Sequence, residues 1–166
     1  ATLTAGQVEA LLAACDIDTS VGARDRAVLV MLARLGLRTA EVAALRLADV
    51  DWRRGQILIR GKGNRIERLP LPTAVGQALA DYVTGTRPVC ASRSVFLPVR
   101  GRPPRPLTAM AVRQIVARAY GRAGLPRLGA HRLRHTLASD LLRAGNSLPQ
   151  IGQVLRHRRQ LSTALY

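Results

Sequence analysis

Lysine is almost missing from this chain: of its 26 cationic side chains, Lys62 alone is not arginine. Acid is nearly missing too, but only from the second half. Residues 1–86 hold eleven basic and nine acidic side chains, whereas residues 87–166 hold fifteen arginines and a single carboxylate, Asp140. A bias toward arginine codons accounts for arginine in place of lysine, but it does not remove acids. A half that is almost purely cationic expects a polyanion, and nucleic acid is the usual one. Cysteine is limited to Cys15 and Cys90, which excludes a disulfide framework, and neither stands at metal-ligand spacing. A reducing, intracellular setting is the expectation. No apolar run approaches the ~20 residues that span a bilayer, and no charged-then-apolar leader opens the chain, so no membrane partner is expected. Repeats and low-complexity tracts are also lacking.

What is there is ordinary for a globular protein: 166 residues, 48% apolar and 22% charged, with a formal charge of +16. That length suits one domain with a sizeable core. Residue 1 is alanine, as expected of an excised or processed piece. The first half reads as helices. Thr4 caps a pattern carrying Val8, Leu11 and Leu12, and Arg24 to Leu35 places Val28, Leu29, Leu32 and Leu35 at helical spacing. Gly36 fits a left-handed cap, and Thr39 is expected to cap a short helix holding Val42 and Leu45, with Glu41 near its positive end. The period then changes to two. Residues 56–60 and 66–69 read as a β-hairpin around Gly61-Lys62-Gly63-Asn64-Arg65. A helix is expected from about Thr73 to Tyr82, a third short strand over Ser94 to Leu97, and a basic, proline-rich loop over Pro98 to Pro106. Helices follow from Thr108 to about Arg122, His131 to Ala144, Pro149 to Leu155, and Leu161 onward. The expected fold class is mainly α with a small antiparallel β-sheet (α+β).

The segment from His131 carries the most chemistry. On a helix, Leu133, Leu137 and Leu141 define the buried side, Arg134 falls inside or at the rim of that stripe, and His131 and His135 flank it. Arg132, Thr136 and Asp140 take the exposed side. A permanently charged guanidinium aimed at a core needs an anion or acceptor. A buried carboxylate would make Arg134 structural; a phosphate from outside would make it functional. Arg38 offers a second anion site, in the turn before a helix N-terminus, where a guanidinium fork suits phosphate oxygens; a solvated loop arginine is the plainer reading. Lys62 sits at a glycine-flanked hairpin tip. Lysine gives up a proton near neutrality if its pKa is lowered and arginine does not, so Lys62 suits a general acid; chance survival of one lysine is the alternative. His157 among arginines and the terminal Tyr166 are weak signals singly.

Taken in order, Arg38, Lys62, His131-x-x-Arg134, His157 and Tyr166 resemble the tyrosine recombinase (phage integrase) superfamily. The matching text is GLRTAEVAALRLADVD, GKGNRIERLPLP, HRLRHTLASDLLRAG and IGQVLRHRRQLSTALY. The resemblance covers essentially the whole chain, 1–166, as a single catalytic domain of the integrase fold. It implies that Arg38 and Arg134 clamp the scissile phosphate, that Tyr166 attacks it to give a 3′-phosphotyrosine link, and that Lys62 protonates the leaving 5′-oxygen. His131 would act as base toward the tyrosine and His157 would hydrogen-bond the phosphate, with His135 in support. Double-stranded DNA is the implied partner, and no cofactor, ATP or metal is implied. The full-length protein would form a tetramer on two DNA sites, with this piece monomeric, in the nucleoid-associated cytoplasm. Three departures stand out. Arg156 replaces the family's usual glycine, which puts the local turn in question or supplies another phosphate contact. The N-terminal helical domain is absent, and the chain stops at the nucleophile, so weak DNA binding is expected. The competing readings are DNA relaxation of the type IB topoisomerase kind and a non-catalytic, basic DNA-binding module.

Overall fold

The computed structural model describes residues 2–101 and 105–156. The helix expected from Leu161, and the expected site residues His157 and Tyr166, lie outside the described residues. The elements run α1 (Ala5–Ala13), α2 (Ser20–Leu35), α3 (Thr39–Ala43), β1 (Val50–Asp51), β2 (Gln56–Gly61), β3 (Arg65–Pro70), α4 (Thr73–Ala80), a π-helical turn (Asp81–Thr86), α5 (Ala109–Arg122), α6 (Ala130–Arg143) and α7 (Leu148–Leu155).

Helix α2 is the axis of the fold. Ala27 to Leu32 are all essentially inaccessible, so this middle stretch of the helix is apolar on every side, as a helix wrapped by others must be. It packs against α1, α3, α4, α5 and α6. Its buried polar groups are an ion pair, Arg24 and Asp25. Arg24 donates to Asp25 Oδ1 from Nε and NH2 (3.0 and 2.8 Å) and to the Leu97 carbonyl from NH1 (3.2 Å). The helix ends on Gly36, whose φ of 58° confirms the expected left-handed cap.

The sheet is antiparallel in the order β1-β2-β3. Alternation sends Ile57 and Ile59 into the core, and the register pairs Gly61 with Arg65 across the turn. Gly63 and Asn64 both have positive φ (76° and 57°), which glycine and asparagine tolerate best. The third strand is Val50–Asp51, not the expected Ser94 to Leu97. That segment makes a single bridge, Ser94 to Arg46. Its backbone is held at two points, by Leu47 N–H on the Arg93 carbonyl and Val95 N–H on the Leu45 carbonyl (2.9 and 3.0 Å). The carbonyls of Ser92, Ser94 and Val95 accept from the Arg87 guanidinium, so they are not available to a neighbouring strand. Val95, Phe96 and Leu97 fill the core instead, with Phe96 stacked on Tyr82 at 5.7 Å.

Two further expectations are corrected. Arg38, not Thr39, is the N-cap of α3, and the Glu41 carboxylate reaches back to the Arg38 backbone N–H (2.8 Å). Thr136, expected on the exposed side of α6, is buried: the segment before α1 lies over it, and Leu3 N–H donates to its hydroxyl (3.0 Å). Arg134 is wholly inside rather than at a rim.

Candidate active site

Arg38 follows the left-handed Gly36 and an inaccessible Leu37, so the chain leaves α2 and enters α3 along a fixed path. Its guanidinium donates to Glu41 Oε1 (3.0 Å), and its side chain remains 47% exposed while the carboxylate is buried. One carboxylate therefore orients both the backbone and the side chain of Arg38, and leaves part of the guanidinium facing outward.

Arg134 is oriented from the opposite side. Its NH1 donates to the Gly36 carbonyl and its NH2 to the Leu155 carbonyl. These carbonyls end α2 and α7, where the helix dipoles are negative, so a buried cation is favoured there. Helix α6 is capped by Gly129, whose φ of 74° and ψ of 167° are open to glycine alone at low cost. The Tyr120 hydroxyl donates to the Gly129 carbonyl (3.5 Å), and burial pushes that hydroxyl's pKa up, which keeps it a donor. Gly129 thus sets where His131, exposed in the first turn of α6, is presented.

Two adjoining clefts result, and Arg38 lines both. One, about 150 Å³, is bordered by Arg38, Glu41, Lys62, Arg65, Glu67 and Arg156. The other, about 440 Å³, is bordered by Arg38, Arg113, Gly129, His131 and Arg134. Four of the six expected residues, Arg38, Lys62, His131 and Arg134, thus come from three separate places in the chain to adjoining clefts that share Arg38. Arg113, Arg65 and Glu67 were not singled out in the sequence. Arg113 carries a signal of a kind, being an exposed charge on the turn between the buried Val112 and Ile115 of α5.

Arg156 answers the question raised by its place in the motif. The turn forms, with Arg156 itself in the left-handed region (φ 55°, ψ 47°) that glycine would occupy freely, a cost of about 1–2 kcal/mol for a residue bearing a Cβ. Its side chain is 4% exposed and folds inward, donating from NH2 to Glu41 Oε2 (2.8 Å). His135, next to the motif, has its pKa lowered, first by burial and then by the positive charge of Arg132, so it is held neutral. Among the described residues no group of three or more His, Cys, Asp or Glu side chains is placed to hold a metal ion. Nor is any described helix long and apolar enough to cross a membrane.

Known proteins resemble this chain in sequence and in fold. The protein y4rA of Sinorhizobium fredii is 48% identical over 165 residues, covering 96% of this chain and 39% of its own length. The tyrosine recombinase XerD of Xanthomonas axonopodis pv. citri is 34% identical over 173 residues, covering 99% of this chain and 57% of the relative. The chain therefore spans about half or less of each of these two relatives. Among solved structures, the XerH site-specific recombinase bound to its palindromic difH substrate, in a post-cleavage complex, superposes with a TM-score of 0.80 at 26% identity, over 99% of this chain and 48% of that one. The family model described as the phage integrase family matches residues 1–166. With the helical fold, the three-stranded antiparallel sheet and the motif order all in agreement, the chain belongs to the phage integrase family.

Proposed function

We propose that residues 1–166 form the catalytic unit of a site-specific DNA recombinase that cleaves and rejoins strands through a 3′-phosphotyrosine intermediate. The observation that carries this reading is the convergence of Arg38, Lys62, His131 and Arg134 on adjoining clefts. Two guanidiniums held by Glu41 and by backbone carbonyls are preorganised donors for a phosphate whose charge grows in the transition state. Arg38 and Arg134 take its non-bridging oxygens. Tyr166 attacks phosphorus as its hydroxyl proton passes to His131; the P–O5′ bond breaks, and Lys62 protonates the leaving oxygen. His157 hydrogen-bonds the phosphate. The phosphodiester energy is kept in the tyrosyl ester, so rejoining needs neither ATP nor metal.

Double-stranded DNA is the proposed partner. The cationic half from residue 87 onward, including Arg113 beside the second cleft, supplies backbone contacts. The full-length protein works as a tetramer on two DNA sites, on chromosomal or element DNA in the cytoplasm. A nicked duplex carrying the sequence that flanks the gene tests this: incubation with the full-length protein gives an SDS-stable protein–DNA adduct, and Tyr166→Phe removes it. An adduct that persists in the phenylalanine variant refutes the assignment of the nucleophile.

A further inference from the structure

We propose that Arg156 is a positioning residue of the phosphate site, acting through Glu41 to keep the charge of Arg38 available to DNA; this rests on the recombinase reading above. Glu41 is the carboxylate between the two guanidiniums. Its Oε1 accepts from Arg38 NH1 (3.0 Å), and its Oε2 accepts from both the Arg38 backbone N–H and Arg156 NH2 (each 2.8 Å). Without Arg156, one buried carboxylate faces one guanidinium and their charges cancel. With Arg156, the same carboxylate is shared between two cations, and the three-residue cluster keeps one surplus positive charge before Lys62 of the same cleft is counted.

The local geometry indicates that the arginine is held there for this contact. Arg156 occupies a backbone conformation that strains any residue with a Cβ. Its Nε is buried with no hydrogen-bond partner among the described residues, and NH1 reaches only the nearby Val154 carbonyl (3.2 Å). Strain and an orphaned N–H both oppose this placement, and the ion pair to Glu41 is the interaction that offsets them. The pair also pins the C-terminal end of α7 to α3, at the residue that precedes His157 in the chain.

The test uses full-length protein and the nicked duplex flanking its own gene, with DNA affinity and single-turnover adduct formation measured separately. Arg156→Gly relieves the backbone strain and removes the clamp; adduct formation is expected to slow by about tenfold or more while affinity for the duplex changes less than about threefold. Arg156→Asn, which also tolerates the left-handed region, carries the same expectation if the glycine variant does not fold. Arg156→Lys is expected to recover part of the rate. Because the effect passes through Glu41, combining Arg156→Gly with Glu41→Gln is expected to cost much less than the product of the two single losses. Wild-type rates in both the glycine and asparagine variants overturn the inference, as does a double variant whose losses multiply. No adduct from the wild-type protein overturns the recombinase reading itself, and the inference with it.

Discussion

The guanidinium of Arg134 donates to the carbonyl of Gly36, the residue that ends α2 in the left-handed region. A cation buried in one helix is thus registered against the end of the central helix, and its other arm against the Leu155 carbonyl at the end of α7. Three helices meet on one side chain. Lysine has neither the planar fork nor the reach to serve both carbonyls. Arg134→Lys is expected to lower stability by about 1–3 kcal/mol and adduct formation by about a hundredfold or more. Urea unfolding and single-turnover cleavage check the two effects independently.

A side chain at Gly36 would force the leucines packed over it to shift. A Cβ there would stand 2.7 Å from Leu155 Cδ2 and 3.0 Å from Leu137 Cδ2, on a backbone already at φ +58°. Gly36→Ala is expected to cost about 2–4 kcal/mol, the sum of left-handed strain and overpacking between α2, α6 and α7. A shift of the urea midpoint at unchanged slope measures it. A cost below about 0.5 kcal/mol contradicts the packing described.

Much of this arrangement was legible beforehand, and what was not has a physical cause. Gly36 announced its cap because a helical run ended on it, and the hairpin announced itself by the change of period around Gly61 to Arg65. Arg134 stands out as a charge on an apolar stripe, but the Gly36 and Leu155 acceptors it meets are backbone carbonyls, which no side-chain pattern reveals. Thr136 was misplaced because a helical wheel does not know that Leu3 and its neighbours fold back over that face. The strand expected at Ser94 to Leu97 failed because Arg87, seven residues earlier, occupies the carbonyls it would have used. Arg156 was visible as a departure from the motif, yet its contact with Glu41 spans 115 residues and exists only in the fold.

The Thr136 contact gives a separate test of the segment before α1. Thr136→Val keeps the shape but leaves Leu3 N–H without its acceptor, and is expected to cost about 1–3 kcal/mol. Thr136→Ser retains the hydroxyl and is expected to keep most of that interaction. Hydrogen exchange at the Leu3 amide distinguishes the two variants directly.

His135 makes stability depend on pH in a defined direction. Its folded-state pKa lies below the ordinary histidine value of 6.5, so the unfolded chain binds the proton more readily. Its contribution to stability is present above pH 6.5 and is lost as pH falls from there through the lowered folded-state value. His135→Gln is expected to flatten this part of the stability–pH curve. Equal slopes in the two proteins refute the role of His135.

The central claim is chemical: a phosphate held by Arg38 and Arg134 becomes esterified to Tyr166. Mass spectrometry of a nuclease-trimmed, protease-digested adduct locates the attachment most directly. The account predicts a nucleotide joined through its 3′-phosphate to the peptide that contains Leu165 and Tyr166, at the tyrosine oxygen. Attachment at any other residue, or through a 5′-phosphate, contradicts it.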